Sequence, residues 1–169
     1  LGQMVRYGLP SGVQNSVIGL ANVILQSNIN SFGKLAMAGY GAYSKLEGFA
    51  FLPITSFTMA LTTYTGQNLG AMQYDRAKKG ARFGILVSIT LAELIGVGMY
   101  VFAPQLISIF TPTPEVIALG TQQARTIALF YCLLAYSHAV ASVCRGAGKA
   151  FVPMTIMLAT WCALRIVYI

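Results

Sequence analysis

The protein has 169 residues, of which 56% are hydrophobic and only 9% carry a formal charge, and its mean hydropathy is +0.68. A soluble domain has about 25% charged residues, so this composition excludes a disordered chain, a disulfide-rich scaffold and most soluble enzymes. The net charge of +7 could indicate nucleic-acid binding. The basic residues instead lie in short clusters between long apolar runs, as in the loops of membrane proteins, so we expect no nucleic-acid partner.

Long stretches without formal charge predict an all-α, polytopic membrane protein. About 20 apolar residues cross the hydrocarbon core as a helix, and backbone groups in lipid must be paired within their own segment. Prolines at 112 and 114 and the glycines of the segment 145–149 separate the later segments. We predict five transmembrane helices in one domain, 1–169, over residues of about 6–33, 35–69, 76–110, 115–144 and 152–169.

The distribution of basic residues predicts the orientation of these helices. Alternate loops meet on the same side of a membrane, which places seven basic residues on one side and Lys34 on the other. The seven are Arg6, Arg76, Lys78, Lys79, Arg82, Arg145 and Lys149. Because cytoplasmic loops carry the excess of lysine and arginine, we expect the 76–82 and 145–149 loops to be cytoplasmic.

The first helix carries a row of side-chain amides. With Gly19 they are spaced by three or four residues, so they share one helical face. The members are Asn15, Asn22, Gln26 and Asn30. Amides facing lipid are costly, so the row predicts either the wall of a water-filled cavity or hydrogen bonds between neighbouring helices.

The second helix has a polar and aromatic face of the same periodicity. Its members are Tyr40, Ser44, Glu47, Phe51, Thr55, Thr58 and Thr62. A carboxylate inside a membrane is rare and often functional, so Glu47 is our candidate for binding a proton or a cation. The alternative is a structural ion pair with a basic residue of another helix.

Other polar positions within the predicted spans favour structural roles. Pro53 should kink the second helix, either as a static bend or as a hinge. Glu93, Arg125 and Arg165 are further polar residues within the spans, and we expect Glu93 to pair with an arginine. The only histidine, His138, has no second metal ligand one helical turn away, and the sequence contains no hydrolase or nucleotide-binding motif. We therefore expect no metal site, no cofactor and no enzymatic activity.

Four short motifs resemble the multidrug and toxic compound extrusion (MATE) family. Residues 66–71, GQNLGA, followed by Arg76 and Ala77, are similar to a signature of that family after the second helix of a lobe. Further similarities lie at residues 8–10 (GLP), 45–53 (KLEGFAFLP) and 145–149 (RGAGK). The resemblance covers essentially the whole chain, and the motifs fall at the expected helix ends.

The resemblance implies a known architecture and activity. Members have twelve helices in two six-helix lobes around a central cavity, and they export organic, often cationic, compounds in exchange for sodium ions or protons. This chain would correspond to helices seven to eleven of the C-terminal lobe. Some sodium-linked members have carboxylates in the seventh and tenth helices, but the corresponding residues here, 14–18 (QNSVI) and 133–135 (LLA), contain none. Glu47 is then the available acid.

The sequence therefore predicts a secondary active multidrug exporter, an antiporter coupled to Na⁺ or H⁺ that works by alternating access. Its expected partners are small cationic organic substrates, membrane lipid and an N-terminal lobe absent from this chain. We expect a multi-pass protein of the plasma membrane, in bacteria the inner membrane. The alternatives are a flippase of lipid-linked precursors from the same superfamily and a membrane scaffold without transport activity. The first residue is Leu1, and we expect a longer protein.

Overall fold

The computed structural model describes residues 2–160, and these residues form helices without any strand. Six helices follow one another with short connections. They are α1 (Gly2–Ser31), α2 (Lys34–Gly70), α3 (Tyr74–Ser108), α4 (Pro114–Ala128), α5 (Tyr131–Gly146) and α6 (Phe151–Met157). The all-α prediction is confirmed over this range. The end of the predicted fifth helix, 161–169 with Arg165, lies outside the described residues.

The predicted fourth helix, 115–144, is two helices in the structure. The chain turns between α4 and α5, whose axes are bent by 56°. No proline or glycine lies at the break, which consists of Leu129 and Phe130. Gly96 of α3 lies beside it, and a Cβ atom added there would be 2.9 Å from the Ala128 carbonyl oxygen. The break therefore coincides with a close contact between α3 and the end of α4. The local sequence has no signal that would predict this break.

The core of the molecule lies between α2, α3, α4 and α5, which all pack against one another except for the consecutive pair α4 and α5. Many of its buried side chains are small, which lets helices approach closely where lipid provides no hydrophobic driving force. The central cluster consists of Ala42, Tyr43, Leu46, Ile54, Ala92, Met99, Ala103, Ile107, Ala124, Tyr131 and Ala135. In contrast, α1 makes its main contacts with α2 and α6, and most of its described side chains are exposed.

Glycines let α2 approach both α3 and α5. A Cβ added at Gly84 would lie 2.5 Å from a methyl group of Leu61, and one at Gly80 would overlap the Tyr64 ring. At the other interface, a Cβ added at Gly146 would lie 2.5 Å from the Thr62 carbonyl oxygen. The missing side chains of these glycines therefore permit close helix packing near the connection between α2 and α3.

One helix among the described residues, α3, is by itself both long and apolar enough to cross a membrane, and the bent α4–α5 pair would form a second such segment. Helices α1 and α2 contain 30 and 37 residues. At about 1.5 Å per residue these lengths exceed the hydrocarbon thickness of about 30 Å. Their polar faces lower their average hydropathy. The number of spans, predicted to be five, therefore stays a prediction.

We expect Thr62→Val to weaken the contact between α2 and α5. The Thr62 hydroxyl lies 3.0 Å from the Thr58 carbonyl oxygen of its own helix and 3.2 Å from the Ser142 carbonyl oxygen of α5. Loss of the interhelical bond should lower the free energy of unfolding by about 0.6–1.7 kcal/mol. Denaturant titration in detergent measures this change. The control is Thr63→Val, whose hydroxyl bonds only to Met59 of its own helix. Equal destabilisation by the two variants would contradict the cross-helix role.

Candidate functional site

Glu47, the acid singled out by the sequence, lies half-buried on α2 and is held by a tyrosine. The Tyr43 hydroxyl donates a hydrogen bond of 2.8 Å to Glu47 Oε1. Four residues separate the two, so they are neighbours on successive turns of α2. Tyr43 is 1% exposed. The carboxylate therefore has a fixed hydrogen-bond donor on one side while part of the side chain stays accessible.

A second tyrosine reaches the same carboxylate from another helix. Tyr131, the first residue of α5, is 0% exposed and interacts electrostatically with Glu47. Its hydroxyl lies near that of Tyr43. One acid and two phenols thus meet where α2 contacts the beginning of α5.

One turn along α2, an aromatic contact extends this cluster. The rings of Phe51 and His138 meet edge to face, with centroids 5.2 Å apart and planes at 76°. We call Tyr43, Glu47, Phe51, Tyr131 and His138 the Glu47 cluster. The sequence pattern predicts Glu47 and Phe51 as site residues but not the other three. Tyr43 lies four residues before Glu47, a spacing that could have revealed it, whereas the α5 residues required the tertiary arrangement.

The remaining predicted residues of α2 lie at the edge of the core. Apart from buried Thr58, the residues of that face are neither fully buried nor fully exposed. The half-buried members are Tyr40, Ser44, Glu47, Phe51 and Thr55, and Thr58 is buried. Pro53 lies within α2 on an exposed position, and the helix continues on both sides of it.

The amide row of α1 lies mainly on the exposed side of its helix. Asn15, Asn22 and Asn30 are exposed, Gln26 is half-buried, and the Gln26 amide donates a 3.2 Å hydrogen bond to Asn30. The buried amide of α1 is a different one. Gln14 is 5% exposed and donates a 3.1 Å hydrogen bond to the sulfur of Met157 in α6. Gln14 therefore joins two helices, while Asn15, Asn22 and Asn30 of the predicted row lie on the exposed side.

A pocket of about 210 Å³ lies where the end of α1 meets the beginning of α2 and the side of α4. Its lining is mainly apolar, with Tyr40 and Gln123 as polar members. The complete lining is Ile29, Phe32, Ala36, Tyr40, Leu119 and Gln123. Tyr40 is the one residue of the predicted site that lines it. Within the described residues, this pocket does not unite the amide row with the Glu47 cluster.

The expected ion pair between Glu93 and an arginine is not formed with any residue that the structure describes. Glu93 is exposed on α3. Arg125 instead donates a 3.2 Å hydrogen bond to the Tyr100 carbonyl oxygen, and its guanidinium lies 5.5 Å from the Tyr100 ring centroid. A backbone carbonyl and an aromatic face thus stabilise this cation without a carboxylate.

The basic segments predicted to share one side lie at the same end of the helix bundle. Gly146, at the end of α5, contacts Thr62 and Gly66 near the end of α2, and α3 begins after the next turn. The basic residues of 76–82 and 145–149 are therefore neighbours in space. The Arg145 side chain points back into this contact, with its guanidinium 3.4 Å from the Ser142 hydroxyl.

Comparison with known proteins agrees with this architecture. The family model named MatE matches residues 10–169. A Bacillus subtilis protein named "Probable multidrug resistance protein YpnP" is 29% identical over 96% of this chain and 36% of its own length. A protein named "FAD transporter" from Shewanella oneidensis is 27% identical over 64% of this chain and 24% of its own length.

A solved structure has the same fold. It is described as a MOP superfamily transporter from Pyrococcus furiosus whose binding pocket has reverse polarity, suggesting a different function. It superposes with a TM-score of 0.86 at 19% identity, covering 92% of this chain and 34% of the other.

These findings define the class first: the helices belong to a family of membrane transporters. The chain belongs to the MatE family, the multidrug and toxic compound extrusion transporters, as its motifs predicted. Membership points to transport rather than catalysis. The chain spans about a third of the length of its multidrug resistance relative and of the solved transporter.

Proposed function

We propose that this chain is part of a multidrug exporter that moves small, often cationic organic compounds across a bacterial inner membrane in exchange for Na⁺ or H⁺. The observation that carries the proposal is the MatE match over residues 10–169. The half-buried carboxylate of Glu47 at the α2–α5 contact adds a chemical reason. The same proposal includes five membrane spans, a second lobe and a cytoplasmic location for the end of the helix bundle that carries the basic segments.

Glu47 is the residue to which we assign the coupling ion. A carboxylate with one phenolic donor beside it can accept a proton or coordinate a cation with its remaining lone pairs. Tyr43 occupies one lone pair of Oε1 at 2.8 Å, and the Tyr131 hydroxyl lies nearby. Binding of a cation or a proton would compensate the negative charge, which is costly inside a membrane.

The surrounding side chains would hold the substrate. Phe51 and Tyr40 offer aromatic faces that attract organic cations. The amides Asn15, Asn22, Gln26 and Asn30 of α1, with Ser44 and Thr55 of α2, offer donors and acceptors that tolerate many substrates. Because α1 leaves its amides exposed, the second lobe would complete the cavity. Alternating access would then close this cavity toward one side of the membrane at a time.

Pro53 is our candidate hinge for that motion. Its ring removes one backbone hydrogen bond in the middle of α2, between the Glu47 cluster and the basic end. Broken or kinked helices accommodate alternating access in other transporter folds. A bend at Pro53 would change the position of Glu47 relative to α5.

A second candidate function is export of an anionic, nucleotide-like compound. The relative named "FAD transporter" and the solved structure with a pocket of reverse polarity favour including it. Glu47 on the cavity face favours cations, since it would repel phosphate groups. Substrate charge therefore separates the two functions.

Transport by the intact protein in sealed vesicles tests the proposal. We expect uptake of a fluorescent organic cation such as ethidium against its gradient when a sodium or a proton gradient is imposed, and no such uptake when both are collapsed. FAD is offered in parallel under the same gradients. Transport of FAD but not of the cation would favour the second function, and transport of neither would contradict both.

A further inference from the structure

A continuous exposed row runs along α3 on the side away from the core. It begins with basic residues, continues with apolar ones and ends at an acid. Its members are Lys79, Arg82, Phe83, Leu86, Thr90 and Glu93, which are spaced by three or four residues apart from the adjacent pair Arg82 and Phe83. Phe83 and Leu86 are 69% and 64% exposed. Because these spacings place side chains on one helical face, cationic groups and apolar groups lie on the same surface without interruption.

Further basic residues lie close to the basic part of this row. Lys78 is exposed beside Lys79, and Lys149 belongs to the neighbouring basic segment at the same end of the bundle. Asp75 is the one acid among the described residues of that end. The local field is therefore strongly positive, and it attracts anions near a membrane surface.

The dimensions of the row match one half of a bilayer. Eleven residues separate Arg82 from Glu93, which corresponds to about 16 Å of helix. The hydrocarbon core of a membrane is about 30 Å thick, so one leaflet contributes about 15 Å. Basic groups at headgroup depth are thus joined on one face to the apolar side chains of Phe83 and Leu86, and the row ends at Glu93, about one leaflet away.

We propose that this face of α3 binds an anionic phospholipid. Its phosphate would contact Lys78, Lys79 and Arg82, and an acyl chain would lie along Phe83 and Leu86. Charge complementarity selects an anionic headgroup over a zwitterionic one, and the apolar continuation selects a lipid over a soluble anion. This inference does not depend on which compound the protein transports.

Lipid binding to the intact protein in detergent tests the proposal. Phosphatidylglycerol, phosphatidylcholine and inorganic phosphate are each titrated, with bound lipid counted by native mass spectrometry and thermal stability measured in parallel. We expect phosphatidylglycerol to bind and to raise the unfolding temperature more than phosphatidylcholine does. The double variant Lys78→Gln with Lys79→Gln should weaken phosphatidylglycerol binding by about tenfold or more, since each basic residue near an anionic membrane surface contributes about 1 kcal/mol.

A charge-matched control distinguishes an effect of this face of α3 on lipid binding from an effect of the protein's net charge. Lys34→Gln with Lys45→Gln also removes two exposed lysines, but at other places on the molecule, and should leave phosphatidylglycerol binding within twofold. If the Lys78 and Lys79 variant is poorly folded, Arg82→Gln serves in its place. Equal losses in both double variants, equal binding of both lipids, or full stabilisation by inorganic phosphate would each overturn the proposal.

Discussion

Replacing Glu47 by glutamine in the intact protein is expected to abolish drug efflux or reduce it strongly. Glutamine keeps the size of the side chain and can still accept the Tyr43 hydroxyl bond of 2.8 Å, but it cannot take up a proton or neutralise a cation at pH 7. Growth of cells on ethidium and uptake into vesicles at matched expression measure the effect. A rate loss of about 100-fold would correspond to about 2.7 kcal/mol.

Two further variants make the Glu47 experiment specific. Glu115→Gln removes an acid that is exposed at the beginning of α4, and it should transport normally. Tyr43→Phe removes only the hydroxyl that orients the carboxylate, so we expect a smaller loss than for Glu47→Gln. Unchanged transport and resistance in Glu47→Gln would remove this residue from the mechanism. In that case, the Tyr43→Phe variant shows whether the hydrogen bond between Tyr43 and Glu47 has a purely structural role.

The second large effect is expected for Gly146→Ala, at the contact between α5 and α2. The added methyl group would lie 2.5 Å from the Thr62 carbonyl oxygen and 2.8 Å from Thr65 Cβ. Since both belong to a packed helix, relief requires separating α5 from α2. We expect the free energy of unfolding to fall by about 1–3 kcal/mol, measured by denaturant titration in detergent.

A glycine without neighbours is the control for that substitution. A Cβ added at Gly48, inside α2, meets nothing within 4 Å. Gly48→Ala should therefore stabilise the protein by about 0.5–1 kcal/mol, because alanine loses less backbone entropy in a helix. Destabilisation of similar size by both variants would contradict a specific role of the α2–α5 contact.

The sequence predicted the helices because their signals are local. Long uncharged stretches and the prolines and glycines between them are visible in the local sequence. The structure ends α1 at Ser31, α2 at Gly70 and α5 at Gly146, within a few residues of the predicted ends at 33, 69 and 144. The break between α4 and α5 has no such signal. Leu129 and Phe130 are ordinary helix residues, and the turn there accompanies the contact with Gly96 of α3, which no local pattern encodes.

The candidate site was predictable only in part for the same reason. Periodicity identified the α2 face with Glu47, since its spacing follows from helical geometry alone. The partners from α5, Tyr131 and His138, depend on how two helices are rotated against each other. The pairing expected for Glu93 is not formed with a described arginine, and α3 leaves that side chain exposed; a pairing with Arg165, outside the described residues, stays a prediction. Charge alone does not specify which face of a helix is buried.

The division of contacts within the lobe has a consequence for its motions. Helices α2 to α5 interlock through many small buried residues, whereas α1 and α6 contact each other and reach the rest through fewer neighbours. Local opening requires less free energy where fewer groups are packed. Backbone amides of α1 should therefore exchange with deuterium sooner than those of α3, and the outer pair can tilt as a unit while the inner four helices keep their arrangement.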